Sequence, residues 1–140
     1  MTLTLQEKIN ISNIRIEKAH INLKDAEYTF KEGKYGLTIN RSYYAILSAS
    51  RSLLVLKGID TATHDGAKTM LSLHFVKTGY LPKNIIDSFR ILLARRTDVD
   101  YGDFSETTVE EAEDSLNKAR DFVTSVEQAL IRLKSEWTSG

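Results

Sequence analysis

Cysteine is missing from this chain, which excludes a disulfide framework and a thiolate nucleophile and suits a reducing, cytoplasmic setting. Long apolar runs are missing too. Nowhere do about eighteen apolar residues follow one another, and the start, MTLTLQEKIN, has no apolar segment behind a basic patch, so neither a membrane span nor a secretory leader is expected. Charge of one sign is also lacking: 19 basic residues stand against 19 acidic ones. No bulk field therefore draws the chain to nucleic acid or to an anionic membrane, and any phosphate contact has to come from a local cluster. No two of the three histidines have metal-ligand spacing on one helix, and there is neither a phosphate-cradling glycine loop nor a serine elbow. No metal and no cofactor is expected.

A single proline, seven glycines and no alternating run rich in valine or threonine argue for helices throughout. The length of 140 residues suits one domain, residues 1–140, large enough to bury roughly two-thirds of its unfolded surface. Leu5, Ile9, Ser12, Ile16, Ala19, Leu23, Ala26 and Phe30 recur at spacings of four and three, one stripe of a long helix that Gly33 and Gly36 would end. A second helix from Leu37 to Lys57 stacks Tyr43, Ile46, Leu47, Ser50, Leu53 and Leu54, with Gly58 as its stop. A shorter helix is expected from Thr63 or His64 to Thr78, and Pro82 fits the first turn of the next. Thr107 or Thr108 with a glutamate three residues on offers a capping box for a last helix. Its stripe runs from Val109 through Leu116, Val123 and Leu130 to Trp137. The sum is an all-α, antiparallel four-helix bundle with an additional short helix. Ile14, Ile21 and Tyr28 form a second apolar line on the first helix. Either another part of the chain covers it or it is a homodimer contact.

Two strips carry chemistry. Arg41, Tyr44, Ser48 and Arg51 follow spacings of three, four and three, so two cations, a phenol and a hydroxyl share one side of the second helix. Such a strip suits a phosphate; equally, each arginine could pair with a carboxylate from another helix. The second strip is RRTDVDY, where the apolar stripe of the fourth helix, extended by a turn, lands on Arg96. Arg96 then points towards the core, with Arg95 the more solvated of the two. Asp100 lies four residues beyond Arg96 and Tyr101 follows. The three could form a helix-end pair or a catalytic trio in which arginine holds phosphate, aspartate takes a proton and tyrosine positions. His64, at a helix start, suits either capping or the nucleotide site, while His74 is expected to pack.

Four blocks, NRSYYAILSASRSLLVLKGI, HDGAKTMLSLHFVKTGYLP, RRTDVDYGDF and VEEAEDSLNKARDFV, resemble the HEPN superfamily, and within it the small stand-alone bacterial and archaeal branch. The resemblance implies a helical bundle that commonly dimerises and is often encoded beside a minimal nucleotidyltransferase as a toxin and antitoxin pair. Active members are metal-independent ribonucleases whose signature is an arginine followed four to six residues later by a histidine. Here Asp100 stands at that place, and no histidine occurs after His74. The carboxylate removes the usual imidazole and repels phosphate. Tyr101 is the nearest counterpart of the tyrosine that partner enzymes adenylylate in some toxin members, though it adjoins Asp100 directly.

The expectation is thus a toxin-like protein that binds nucleotide or RNA phosphates through Arg41, Tyr44, Arg51 and His64, with Arg96, Asp100 and Tyr101 as its working trio. Its rivals are a residual metal-independent endoribonuclease, with Asp100 or His64 as base, and a non-catalytic dimerisation module. The leading reading rests on one geometric expectation, that the arginines of the second and fourth helices meet in one shared pocket.

Overall fold

A computed structural model describes residues 2–102 and 106–139; Asp103 and Phe104, which end the third of the blocks above, lie outside them. Five α-helices are present among the described residues, with no strand: α1 Leu5–Lys31, α2 Tyr35–Leu54, α3 His64–Leu71, α4 Asn84–Tyr101 and α5 Val109–Ser139. Short 3₁₀ and π segments, Val55–Lys57 and Ser72–Val76, extend α2 and α3. Cross-helix bonds give the directions. Ser12 against Ser52 and Thr29 against Thr38 set α1 antiparallel to α2. Asn13 against Lys134, His20 against Glu127 and Glu27 against Arg120 set α1 antiparallel to α5.

Small residues let α1 and α2 approach closely. The row Ser12, Ala19 and Ala26 is fully buried against α2, and the Ser12 hydroxyl donates to the Ser52 carbonyl at 2.7 Å. Ser50 and Ser52 turn their own hydroxyls onto carbonyls of the preceding turn, so a seam of serines is buried with its donors satisfied. Aromatic rings fill the other side of α2: Tyr43 meets Phe89 edge-on at 5.9 Å, and Phe89 meets Phe122 of α5 at 6.3 Å.

Helix ends and the extent of the stripes depart from the sequence reading in several places, among them the third helix, whose α-helical part stops at Leu71 and continues as a π segment to Val76 instead of running to Thr78. Gly33, at a φ of 74°, makes the turn after α1, but Gly36 lies inside α2, where a Cβ would sit 3.4 Å from Val99 of α4. Gly36 is thus a helical position facing α4, which single-residue punctuation cannot distinguish from a stop. Pro82 precedes α4 by two residues and does not stand in its first turn; its carbonyl accepts from the Ile85 amide. The stripe of α5 is buried from Ala112 to Leu133, whereas Val109 and Trp137 at its ends are partly exposed. A reciprocal capping box closes α1 at Thr4 and Glu7, which the sequence reading missed, while Thr108 accepts from the Glu111 amide at the start of α5.

Ile14, Ile21 and Tyr28 are 54–63% exposed, so no described part of the chain covers this row. The expectation of an intramolecular cover is therefore not met. Among the described residues no helix is long and apolar enough to cross a membrane.

Because Phe89 joins the ring of Tyr43 to that of Phe122, Phe89→Ala should remove the centre of this aromatic series. We expect a loss of about 3–5 kcal/mol in urea denaturation with helical content retained at low denaturant.

Candidate functional site

The C-terminal half of α4 lies against the N-terminal half of α2, and the start of α3 lies at the same end. Arg96 is 6% exposed there. Its guanidinium lies 5.2 Å from the Tyr43 ring centroid and 5.6 Å from that of Tyr44, so two π faces take part of its charge. Nη1 donates to Asp100 Oδ2 at 3.3 Å, and Nη2 lies 3.4 Å from His64 Nε2. Nε is buried with no partner. Asn40 of α2 holds Asp100 from the other side, its amide 3.2 and 3.4 Å from the two carboxylate oxygens.

His64 joins the two groups: its Nδ1 is hydrogen-bonded to the Tyr43 hydroxyl and its Nε2 faces Nη2 of Arg96, the donor and acceptor roles following whichever ring nitrogen carries the proton. Burial holds the pKa of His64 below its ordinary 6.5, and the positive charges of Arg96 and Arg51 add to that, against a smaller opposing effect of Asp65. Burial likewise raises the Tyr43 phenol, which stays neutral. For Arg96 burial works against the charge, but the hydrogen bond to Asp100 and the neighbouring phenols and carboxylate more than offset it, so the pKa is raised.

A second group adjoins the first through Tyr44. An open cleft of about 310 Å³ between α1 and α2 is lined by Lys18, Asn22, Arg41, Tyr44, Leu47, Ser48 and Arg51. Three of its seven lining residues are cations and none is acidic, so the cleft is locally positive in a neutral chain. Lys18, Arg41 and Arg51 have no ion pair among the described residues, and Arg51 Nε is buried without a partner. The Arg51 charge acts on both Tyr43 and His64, which ties the cleft to the Arg96 cluster. A larger hollow, about 440 Å³, lies at the opposite end of α4 against α5. It mixes Lys118 with Asp87 and Asp121 and is remote from these groups.

Of the residues singled out by sequence, Arg96, Asp100 and His64 come together, and Tyr44 and Arg51 border them. Arg41 lies exposed further along the cleft. Tyr101 is 76% exposed and makes no described contact with the others. Arg95 is the more exposed of the two arginines, as expected, its side chain 26% exposed against 8% for Arg96, and it pairs with Asp114 at 2.7 Å and with the Ser115 hydroxyl at 3.0 Å. The Asp114 carboxyl is held below its usual range by hydrogen bonds from Lys118 and, after an opposing effect of burial, from Arg95. Two members of the cluster, Asn40 and Tyr43, were not among the expected site residues. The signal for Asn40 was its place one turn before Tyr44; that for Tyr43 was a core phenol whose hydroxyl needs a partner. No group of three potential metal ligands occurs among the described residues.

The environment of His64 gives a testable sign. Its imidazole should titrate below 6.5 by NMR, and Arg96→Gln, which removes a charge opposing protonation, should raise the midpoint. With the folded value depressed, the unfolded chain binds the proton more readily. This contribution to stability is present above pH 6.5 and lost as pH falls from there towards the folded value, which urea melts across that range would register.

Comparison with known proteins follows the same outline. A family model described as HEPN domain matches residues 12–129. A protein named "UPF0332 protein" from Thermotoga maritima is 29% identical over 130 residues, covering 93% of this chain and 98% of its own length. Two proteins from Methanocaldococcus jannaschii, "Putative toxin MJ0605" and "Putative toxin MJ0142", are 33% and 29% identical over 119 and 116 residues. These matches cover 82% and 83% of this chain, and 85% and 79% of the relatives. With the matched span enclosing α2, α3, α4 and every residue of the arginine cluster, the chain belongs to the HEPN domain family.

Proposed function

We propose that this protein is a toxin-like HEPN protein that binds RNA or nucleotide phosphates in the cleft lined by Lys18, Arg41 and Arg51, with Arg96 adjoining it beyond Tyr44. The observation that carries the reading is a set of cations without acids: Lys18, Arg41 and Arg51 line one cleft, none of them ion-paired among the described residues, and a buried guanidinium lies beyond Tyr44. Arginines that serve only the fold are normally found against carboxylates or carbonyls, as Arg95 and Arg132 are here. An unpaired set is suited to a multiply charged visitor, for which the guanidinium fork provides paired donors. Relatives named as toxins and the family resemblance support a two-component module with a nucleotidyltransferase-type antitoxin. The exposed row of Ile14, Ile21 and Tyr28 supports a homodimer.

One observation favours a second reading, metal-independent cleavage of RNA. Although no histidine follows Arg96 in sequence, the neutral imidazole of His64 approaches it from α3, so a base and a phosphate-holding cation share the site. Incubation with mixed RNAs and a chelator would yield fragments on this reading, and Arg96→Gln or His64→Gln would abolish them.

Binding of a short fluorescent single-stranded RNA separates these ideas from a purely structural module. Arg51→Gln and Arg96→Gln should each weaken it about tenfold or more, as expected for a lost charged hydrogen bond, and should flatten its salt dependence. Arg132→Gln, at the far end of α5, should leave it unchanged.

A further inference from the structure

Arg96 is more buried than the acid that faces it: the side chains are 8% and 26% exposed. An anion that takes the Nη1 donor of this guanidinium must therefore take the place Asp100 now fills. We propose that Asp100 is an internal stand-in for the ligand phosphate, a latch that occupies Arg96 in the resting protein and gives way when phosphate binds. The inference rests on the reading of the cleft given above and adds how that site is regulated.

Three features make Asp100 a competitor and not a support. Its bond to Arg96 is long, 3.3 Å through one oxygen, and spans four residues of the same helix, a geometry that contributes little to helix stability. The carboxylate is divided between Arg96 and Asn40, whose amide bonds are 3.2 and 3.4 Å, so it is held in place without being held tightly. The guanidinium itself keeps its position by other means, between Tyr43 and Tyr44 and against His64. Release of Asp100 leaves those contacts intact and returns an acid near the helix end to water. It also frees the Nη1 donors, beside a buried Nε that already lacks a partner. An arriving phosphate finds a placed cation with donors to spare.

The same RNA titration tests the latch through a double-mutant cycle. Asp100→Asn should tighten binding about two- to fivefold, the range expected for relief of a partly exposed ion pair. The gain should vanish when Arg96→Gln is also present, because without the guanidinium there is nothing to release. Asp65→Asn removes an acid that acts on His64 and Tyr43 but pairs with Lys68, and it should gain less than Asp100→Asn. Asn40→Ala, which loosens the carboxylate from its other side, should shift affinity in the same direction as Asp100→Asn and serves if that variant does not fold. If Arg96→Gln weakens wild-type binding while Asp100→Asn and Asn40→Ala fail to tighten it, the latch is wrong and the cleft stands. A gain from Asp100→Asn that persists beside Arg96→Gln would reduce it to general repulsion and also overturn the latch. If Arg96→Gln leaves wild-type binding unchanged, the reading of the cleft fails and the latch with it.

Discussion

A guanidinium cannot be taken from water unless its charge and its donors find substitutes, and the burial of Arg96 is the constraint around which one end of this bundle is built. Three helices answer it. The phenol rings of α2 take part of the charge, the imidazole at the head of α3 faces one N–H, and Asp100 of α4 accepts another while Asn40 of α2 steadies it. Each substitute is partial: two contacts are long and Nε has none. The consequence is a cation fixed in place by aromatic surface yet incompletely hydrogen-bonded. Arg95, by contrast, is matched to a carboxylate and a hydroxyl of α5, Asp114 and Ser115.

Most of the architecture could be read from periodicity, because a helix that buries one side writes a three-and-four spacing into its sequence whatever its neighbours are. The rows Ser12, Ala19, Ala26 and Ala112 to Leu133 illustrate this. Helix ends were read less well. Gly36 and Pro82 look like punctuation in one dimension; only the approach of Val99 to Gly36, and the carbonyl that Pro82 offers to Ile85, show their uses. The same limit applies to the cluster. Extension of the α4 stripe by one turn pointed Arg96 inward correctly, since that depends on one helix alone. His64 beside Arg96 depends on how α3 is laid across the end of α2, which no spacing within either helix encodes. Asn40 and Tyr43 escaped for a related reason: each reads as an ordinary member of α2 until the other helices supply Asp100 and His64.

The resemblance gives active members of the family a histidine four to six residues after the arginine, where this chain has Asp100. Here α4 contributes an acid to its own arginine, and α3 contributes an imidazole from across the fold. Because the positive charge of Arg96 opposes protonation of His64, any displacement of Arg96 is felt as a change in the protonation preference of that imidazole.

Tyr43 belongs to two neighbourhoods at once. Its ring packs edge-on against Phe89 in the interior while its hydroxyl is hydrogen-bonded to His64. Interior and arginine cluster are thus separated by one side chain at this point. Drift in the sizes of the hydrophobic residues behind Tyr43 would retune the imidazole in front of it, so lineages of this family that diverge in chemistry would be expected to carry compensating changes deep in the bundle as well as along the cleft.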